Sequence, residues 1–133
     1  MPKLLADTSA LLALALRDDQ YHGAAVGFVQ QNAHARFVVT ELIVAEVAAR
    51  VRALAGAGRA VDLARSLLDS RRYEVIFVDA DLLRGALDQL ARFADKRLSL
   101  ADCASFEVME RLQLASAFSF DRDFRDCGFA MVP

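Results

Sequence analysis

The chain has 133 residues, 56% hydrophobic and 26% charged, with a net charge of −2. That balance excludes a disordered chain and fits a single domain, residues 1–133, large enough to bury a core. A pI near 5.6 excludes a strongly basic nucleic-acid coat, so nucleic acid must be met by a local patch or across a cation.

Residues 3–6 form a short apolar run that ends at Asp7-Thr8-Ser9, which predicts a strand and then a helix cap. A short helix is expected over 9–16. Residues 19–31 carry Tyr21, Ala24, Ala25, Phe28 and Val29 at helical spacing. Residues 36–39 are short and β-branched, a second strand, and Thr40 caps a long helix to residue 55. Gly56-Ala57-Gly58 breaks it, and residues 59–70 form an amphipathic helix. A third strand is expected over 73–78, helices over 79–93 and 99–112, a fourth strand over 115–120 and a short fifth over 129–132. Strands alternating with helices predict the α/β class: an α/β/α sandwich with a central parallel sheet of four to five strands.

Cys103 and Cys127 are the only cysteines, too few for a disulfide framework or a zinc site, and neither His22 nor His34 lies at finger spacing from them. Residues 10–16 have the apolar character of a signal-peptide core, but Asp7 and Arg17-Asp18-Asp19 bound them. No stretch reaches the ~18 apolar residues that a membrane span needs. A soluble, cytoplasmic protein is expected.

Four carboxylates, Asp7, Glu46, Asp102 and Asp121, each sit in apolar company. An isolated carboxylate near a core costs several kcal/mol unless it is paired or coordinated. Ligands of open parallel sheets bind beyond the carboxyl ends of the strands. Asp7 and Asp121 sit at two such ends, and meet if the first and fourth strands are neighbours. Glu46 and Asp102, both on helices, can lean over the same rim. Four gathered carboxylates repel one another, and a shared divalent cation resolves the conflict. Oxygen ligands suit Mg²⁺ or Mn²⁺, and the chemistry implied is metal-assisted phosphodiester hydrolysis.

Structural readings compete for every one of these residues. Asp7 can cap a helix, Asp102 can close a capping box with Ser99, Asp121 can serve a turn, and Glu46 can pair with Arg50. Thr8 and Ser9 offer hydroxyls that orient water or cap the helix. Ser119 can reach the pocket from the fourth strand, and Asp123 is either a further ligand or a turn residue. Asp79-Ala80-Asp81 imitates a metal pair, but a helix cap explains it equally. Arg50, Arg59, Arg97, Arg122 and Arg125 are candidates for phosphate-backbone contacts.

The chain resembles the PIN-domain ribonucleases, in particular the VapC-type toxins of type II toxin–antitoxin pairs. The resemblance is carried by Asp7-Thr8-Ser9, by the run from Thr40 to Glu46, by the run from Asp95 to Phe106 and by that from Phe118 to Phe124. It implies the first strand beside the fourth, and Mg²⁺ or Mn²⁺ held by Asp7, Glu46, Asp102 and Asp121. It further implies single-stranded or structured RNA as substrate, an antitoxin whose tail enters the acidic groove, and frequently a homodimer. Ser119 stands where the family commonly has Thr, which keeps the hydroxyl. A non-toxin RNA-processing PIN nuclease and a non-catalytic acidic-groove binding module are the alternatives. A receiver-like phosphoacceptor would want adjacent acidic residues after the first strand, and only Asp7 is there.

Overall fold

A computed structural model describes residues 2–133. The elements run β1 (Lys3–Ala6), α1 (Thr8–Ala15), α2 (His22–Gln31), β2 (Arg36–Thr40), α3 (Glu41–Ala55), α4 (Ala57–Asp69) and β3 (Tyr73–Ile76). They continue with α5 (Ala80–Arg92), α6 (Leu100–Leu112), β4 (Ser116–Phe118), α7 (Asp123–Asp126) and β5 (Ala130–Val132). The sheet has five strands in the order β3-β2-β1-β4-β5, every pairing parallel.

Side-chain alternation along the strands builds two cores. Ala6, Phe37, Val39 and Phe118 face one side and pack against α1 to α4, with Leu11, Ile43, Val47 and Leu67. Leu5, Val38 and Ala117 face the other, against Leu82 of α5, Phe106 and Met109 of α6 and Phe124 of α7. Each fully buried phenylalanine contributes about 1.5–3 kcal/mol by its removal from water. The layers follow from chain direction. From β1 to β3 the chain steps one way across the sheet; after β3 it crosses to the far side of β1 and steps the other way. Right-handed crossovers then require the later helices on the opposite face. The reversal opens a crevice between β1 and β4.

Several predicted ends move because side chains capture backbone amides. The third strand stops at Ile76, not residue 78, since the Val78 amide donates to both carboxylate oxygens of Glu41, at 2.9 and 2.8 Å. The fourth strand stops at Phe118, since the Phe120 amide turns to Ser9 Oγ at 2.9 Å. The second helix starts at His22, since Asp19 forms a turn with the Tyr21 amide at 2.8 Å. Gly56 alone breaks the long helix, at φ +93°, and Ala57 and Gly58 already belong to α4. The single-turn helix α7 is not among the predicted elements.

At the pole away from the crevice, Arg72 donates to the carbonyls of Asn32 at 2.8 Å and Ala35 at 3.1 Å and lies over the Phe37 ring. Arg72→Met keeps the stem but strands those carbonyls. It is expected to cost about 1–3 kcal/mol, read by urea unfolding.

Candidate active site

Backbone pairing brings Asp7 to the crevice. Its amide extends the β1–β4 ladder by donating to the Phe118 carbonyl at 3.0 Å, and the residue is 2% exposed. Its Oδ2 accepts from Ser9 Oγ at 2.9 Å, Ser119 Oγ at 3.0 Å and the Ser9 amide at 3.4 Å. The two hydroxyls accept in turn from the amides of Phe120 and Asp121, at 2.9 and 3.0 Å. With lone pairs engaged by amides, both hydroxyls direct their protons to the strongest acceptor nearby, the carboxylate. Asp7 Oδ1 is buried and has no partner, and the same holds for Thr8 Oγ1.

Asp102 and Asp121 repeat that division. Asp102 Oδ2 accepts from the Ser99 amide at 3.1 Å while Ser99 Oγ accepts from the Asp102 amide at 3.0 Å, so the capping box is real. Asp121 Oδ1 accepts from the Asp123 amide at 2.9 Å. Among the described residues, the second oxygen of each of these three aspartates has no protein donor. One oxygen of each thus orients the side chain, and the other stays without a protein donor.

Asp7, Thr8, Glu46, Asp102 and Asp121 line one cleft of about 370 Å³, together with Arg50 and Arg97. Glu46, half-buried, projects from the second turn of α3 and forms no ion pair with Arg50 among the described residues. Ser119 stands behind Asp7 and does not line the cleft, so its contribution passes through Oδ2. Asp123 heads α7 and does not line the cleft either. Asp79 caps α5 through the Leu82 amide at 2.8 Å and Asp81 pairs with Arg111 at 2.8 Å, so that decoy lies elsewhere. Arg59, Arg122 and Arg125 are likewise absent from the lining, and His22 bonds the Ala13 carbonyl.

Burial pushes the Asp7 carboxyl up to about 6, and the Asp102 charge adds to it, while the Ser9 and Ser119 hydroxyls pull the other way. Burial also raises Asp102, helped by the charges of Asp121 and Glu46 and opposed by its bonds to Ser99. Ser119→Ala is therefore expected to raise Asp7 further, and Ser119→Thr to restore it. Carbon-13 NMR titration of the Asp7 carboxyl reads both.

Among the described residues, no three His, Cys, Asp or Glu side chains are drawn close enough to form a ready metal cage. The donor chemistry nevertheless fits a hard divalent cation: every candidate ligand is oxygen, and Asp7 Oδ1 is a buried acceptor with nothing to accept from. Tyr21, Phe120 and Asp19 also line the cleft. Nothing in the sequence marks Asp19 as a cleft residue or joins Tyr21 to Phe120.

A family model of the PIN domain matches residues 4–130. The 23S rRNA-specific endonuclease VapC20 of Mycobacterium tuberculosis is 35% identical over 74 residues, 56% of this chain and 56% of that protein. The alignment thus spans about half the length of the curated relatives it matches. The crystal structure of the same organism's VapC20, a Sarcin-Ricin loop cleaving toxin, superposes with a TM-score of 0.87 and 28% identity over 96% of each chain. VapBC2 from Rickettsia felis, bound to a promoter DNA fragment, shares the fold at a TM-score of 0.71 and 10% identity, covering 97% of this chain and 96% of that one.

Proposed function

The chain belongs to the PIN-domain family, and from that premise we propose that it is a divalent-metal-dependent endoribonuclease, the toxin of a toxin–antitoxin pair. The observation that carries the reading is the division of labour in the cleft. Asp7, Asp102 and Asp121 each use one oxygen for a bond within the fold and keep the other free. A capping or turn aspartate needs only the first of these.

Asp7 Oδ1 and Asp102 are the direct ligands, and Glu46 and Asp121 complete the set, for Mg²⁺ or Mn²⁺. A divalent cation held by these residues would activate water at neutral pH and would stabilise charge on the phosphoryl oxygens. The chain's own groups do the rest. Glu46 and Asp121 position the attacking water, with Thr8 Oγ1 supporting that shell. Ser9 and Ser119 fix Asp7, and Ser119 is a positioning residue. Arg50 and Arg97 offer guanidinium groups to the RNA backbone at the cleft. In-line attack of water leaves a 5′-phosphate and a 3′-hydroxyl.

The VapC20 likeness supports structured RNA as substrate and a cytoplasmic setting. An antitoxin tail in the acidic groove is the matching partner. Leu54, Val61 and Leu68, 67%, 45% and 55% exposed on α3 and α4, offer apolar surface to a homodimer. Among the described residues no helix is long and apolar enough to cross a membrane.

The test is cleavage of total RNA by protein freed of any antitoxin, in EDTA and after adding back Mg²⁺ or Mn²⁺. The expected result is fragments with 5′-phosphate ends that need the metal. Fragments formed equally in EDTA would reject the reading, and an intact pool would leave an acidic groove used for binding alone.

A further inference from the structure

The cleft has an aromatic wall that the hydrolysis of a phosphodiester does not require. Tyr21 and Phe120 stack with ring centroids 4.5 Å apart and planes 4° from parallel, and both line the cleft. The pair ends a column of rings rooted in the core. Phe37 packs on Phe118 at 5.4 Å, Phe118 meets Phe120 edge-on at 6.2 Å, and Phe120 stacks on Tyr21. Exposure rises along it: Phe37 and Phe118 are fully buried, Phe120 is half-buried, and Tyr21 is 41% exposed. Packing accounts for the inner rings. It does not account for a large ring left open at the rim of a polar cleft.

The pair is held in register with the carboxylates. The Phe120 amide donates to Ser9 Oγ, whose proton goes to Asp7 Oδ2, and Phe120 precedes Asp121 in the chain. On the other side, the turn at Asp19 fixes Tyr21 by accepting from the Tyr21 amide at 2.8 Å and the His22 amide at 3.0 Å. Rings so fixed beside a phosphate site offer a flat face to the nucleotide adjoining the phosphate. Every base has a π-face and stacks on such a ring. A base inside an A-form duplex is already stacked, and an unpaired one is free to swing onto the platform.

We propose that Tyr21 and Phe120 form a stacking platform for an unpaired nucleobase next to the scissile phosphate. The inference rests on the ribonuclease reading and adds to it a subsite that takes the base beside the cut. The carboxylates act on the phosphate. The platform selects which phosphates reach them, by requiring a base free to stack.

The test uses an oligoribonucleotide carrying a cut site mapped with the wild-type protein, and copies with an abasic nucleotide at each position flanking the cut. In the wild type, one abasic position is expected to lower kcat/KM by about 10- to 100-fold, the size of one base–aromatic stack. Tyr21→Ala and Tyr21→Leu are expected to lose a similar factor on intact RNA and to lose nothing more on the abasic copy. Tyr21→Phe should cut like the wild type. A merely structural role for Tyr21 would give losses that add to the abasic loss, and that result overturns the platform, as does a Tyr21→Ala protein that cuts intact RNA at the wild-type rate. If that variant cuts normally but no longer retains a small protein partner, the rings serve a peptide and the proposal falls. A wild-type protein that cuts no RNA with metal overturns the ribonuclease reading and the platform together.

Discussion

Asp7→Asn is expected to lower metal-dependent RNA cleavage by at least about 10³-fold while the fold survives. The size follows from a lost ligand, since the charge stabilisation a metal supplies is worth several kcal/mol and each factor of ten corresponds to about 1.4 kcal/mol. The structure also dictates how the asparagine sits. Ser9 and Ser119 direct their hydroxyl protons to the Oδ2 position. The amide oxygen must occupy that place to accept them, which turns the amide nitrogen to the Oδ1 position. A group that only donates then faces the cleft where a cation needs an acceptor. Single-turnover cleavage beside a thermal melt of both proteins measures the loss and the surviving fold. A folded variant with wild-type turnover would remove Asp7 from the site.

The same substitution is expected to stabilise the metal-free protein at neutral pH. Burial holds the Asp7 carboxyl at about 6, against 3.8 for an unperturbed aspartate. Between those values the folded chain keeps a proton that the unfolded chain releases. The stability this group contributes is therefore present in full below about pH 4 and lost as the pH rises through about 6. At about 1.4 kcal/mol per pH unit, the loss by pH 7 is about 3 kcal/mol. Asp102 is raised by the same causes and acts in the same direction. Urea unfolding in EDTA at several pH values reads the effect. The wild type should fall relative to Asp7→Asn between pH 4 and 7, and Mg²⁺ at pH 7 should recover stability in the wild type only. Parallel profiles for the two proteins would contradict the burial of an ionised Asp7. On the proposed reading, the carboxylate that would hold the cation costs the metal-free fold stability.

Much of this was legible in the sequence, because a carboxylate in an apolar run is a local signal. Asp7, Glu46, Asp102 and Asp121 stand out by their neighbours and share the cleft. The strand–helix alternation yields the layered parallel sheet, since burial on both faces leaves its mark on composition. The structural readings of Asp7 and Asp102 hold as well as their place in the cleft: Asp7 caps α1, Asp102 closes the capping box with Ser99, and both line the cleft. The other features depend on contacts between distant segments. The Ser9–Asp7–Ser119 bonds join the first turn of α1 to the end of β4. The Tyr21–Phe120 stack joins the turn before α2 to the residue ahead of Asp121. Strand ends set by Glu41 reaching the Val78 amide leave no trace in local propensity.

Crystals of the protein soaked in Mn²⁺ would reveal whether these carboxylates hold a divalent cation. An anomalous peak is expected in the cleft, about 2.1 Å from Asp7 Oδ1 and from the oxygen of Asp102 that Ser99 leaves free. No such peak is expected in Asp7→Asn crystals. A manganese peak that survives in the variant, or an empty cleft in wild-type crystals whose dissolved protein cuts RNA with Mn²⁺, would contradict the proposed cation site.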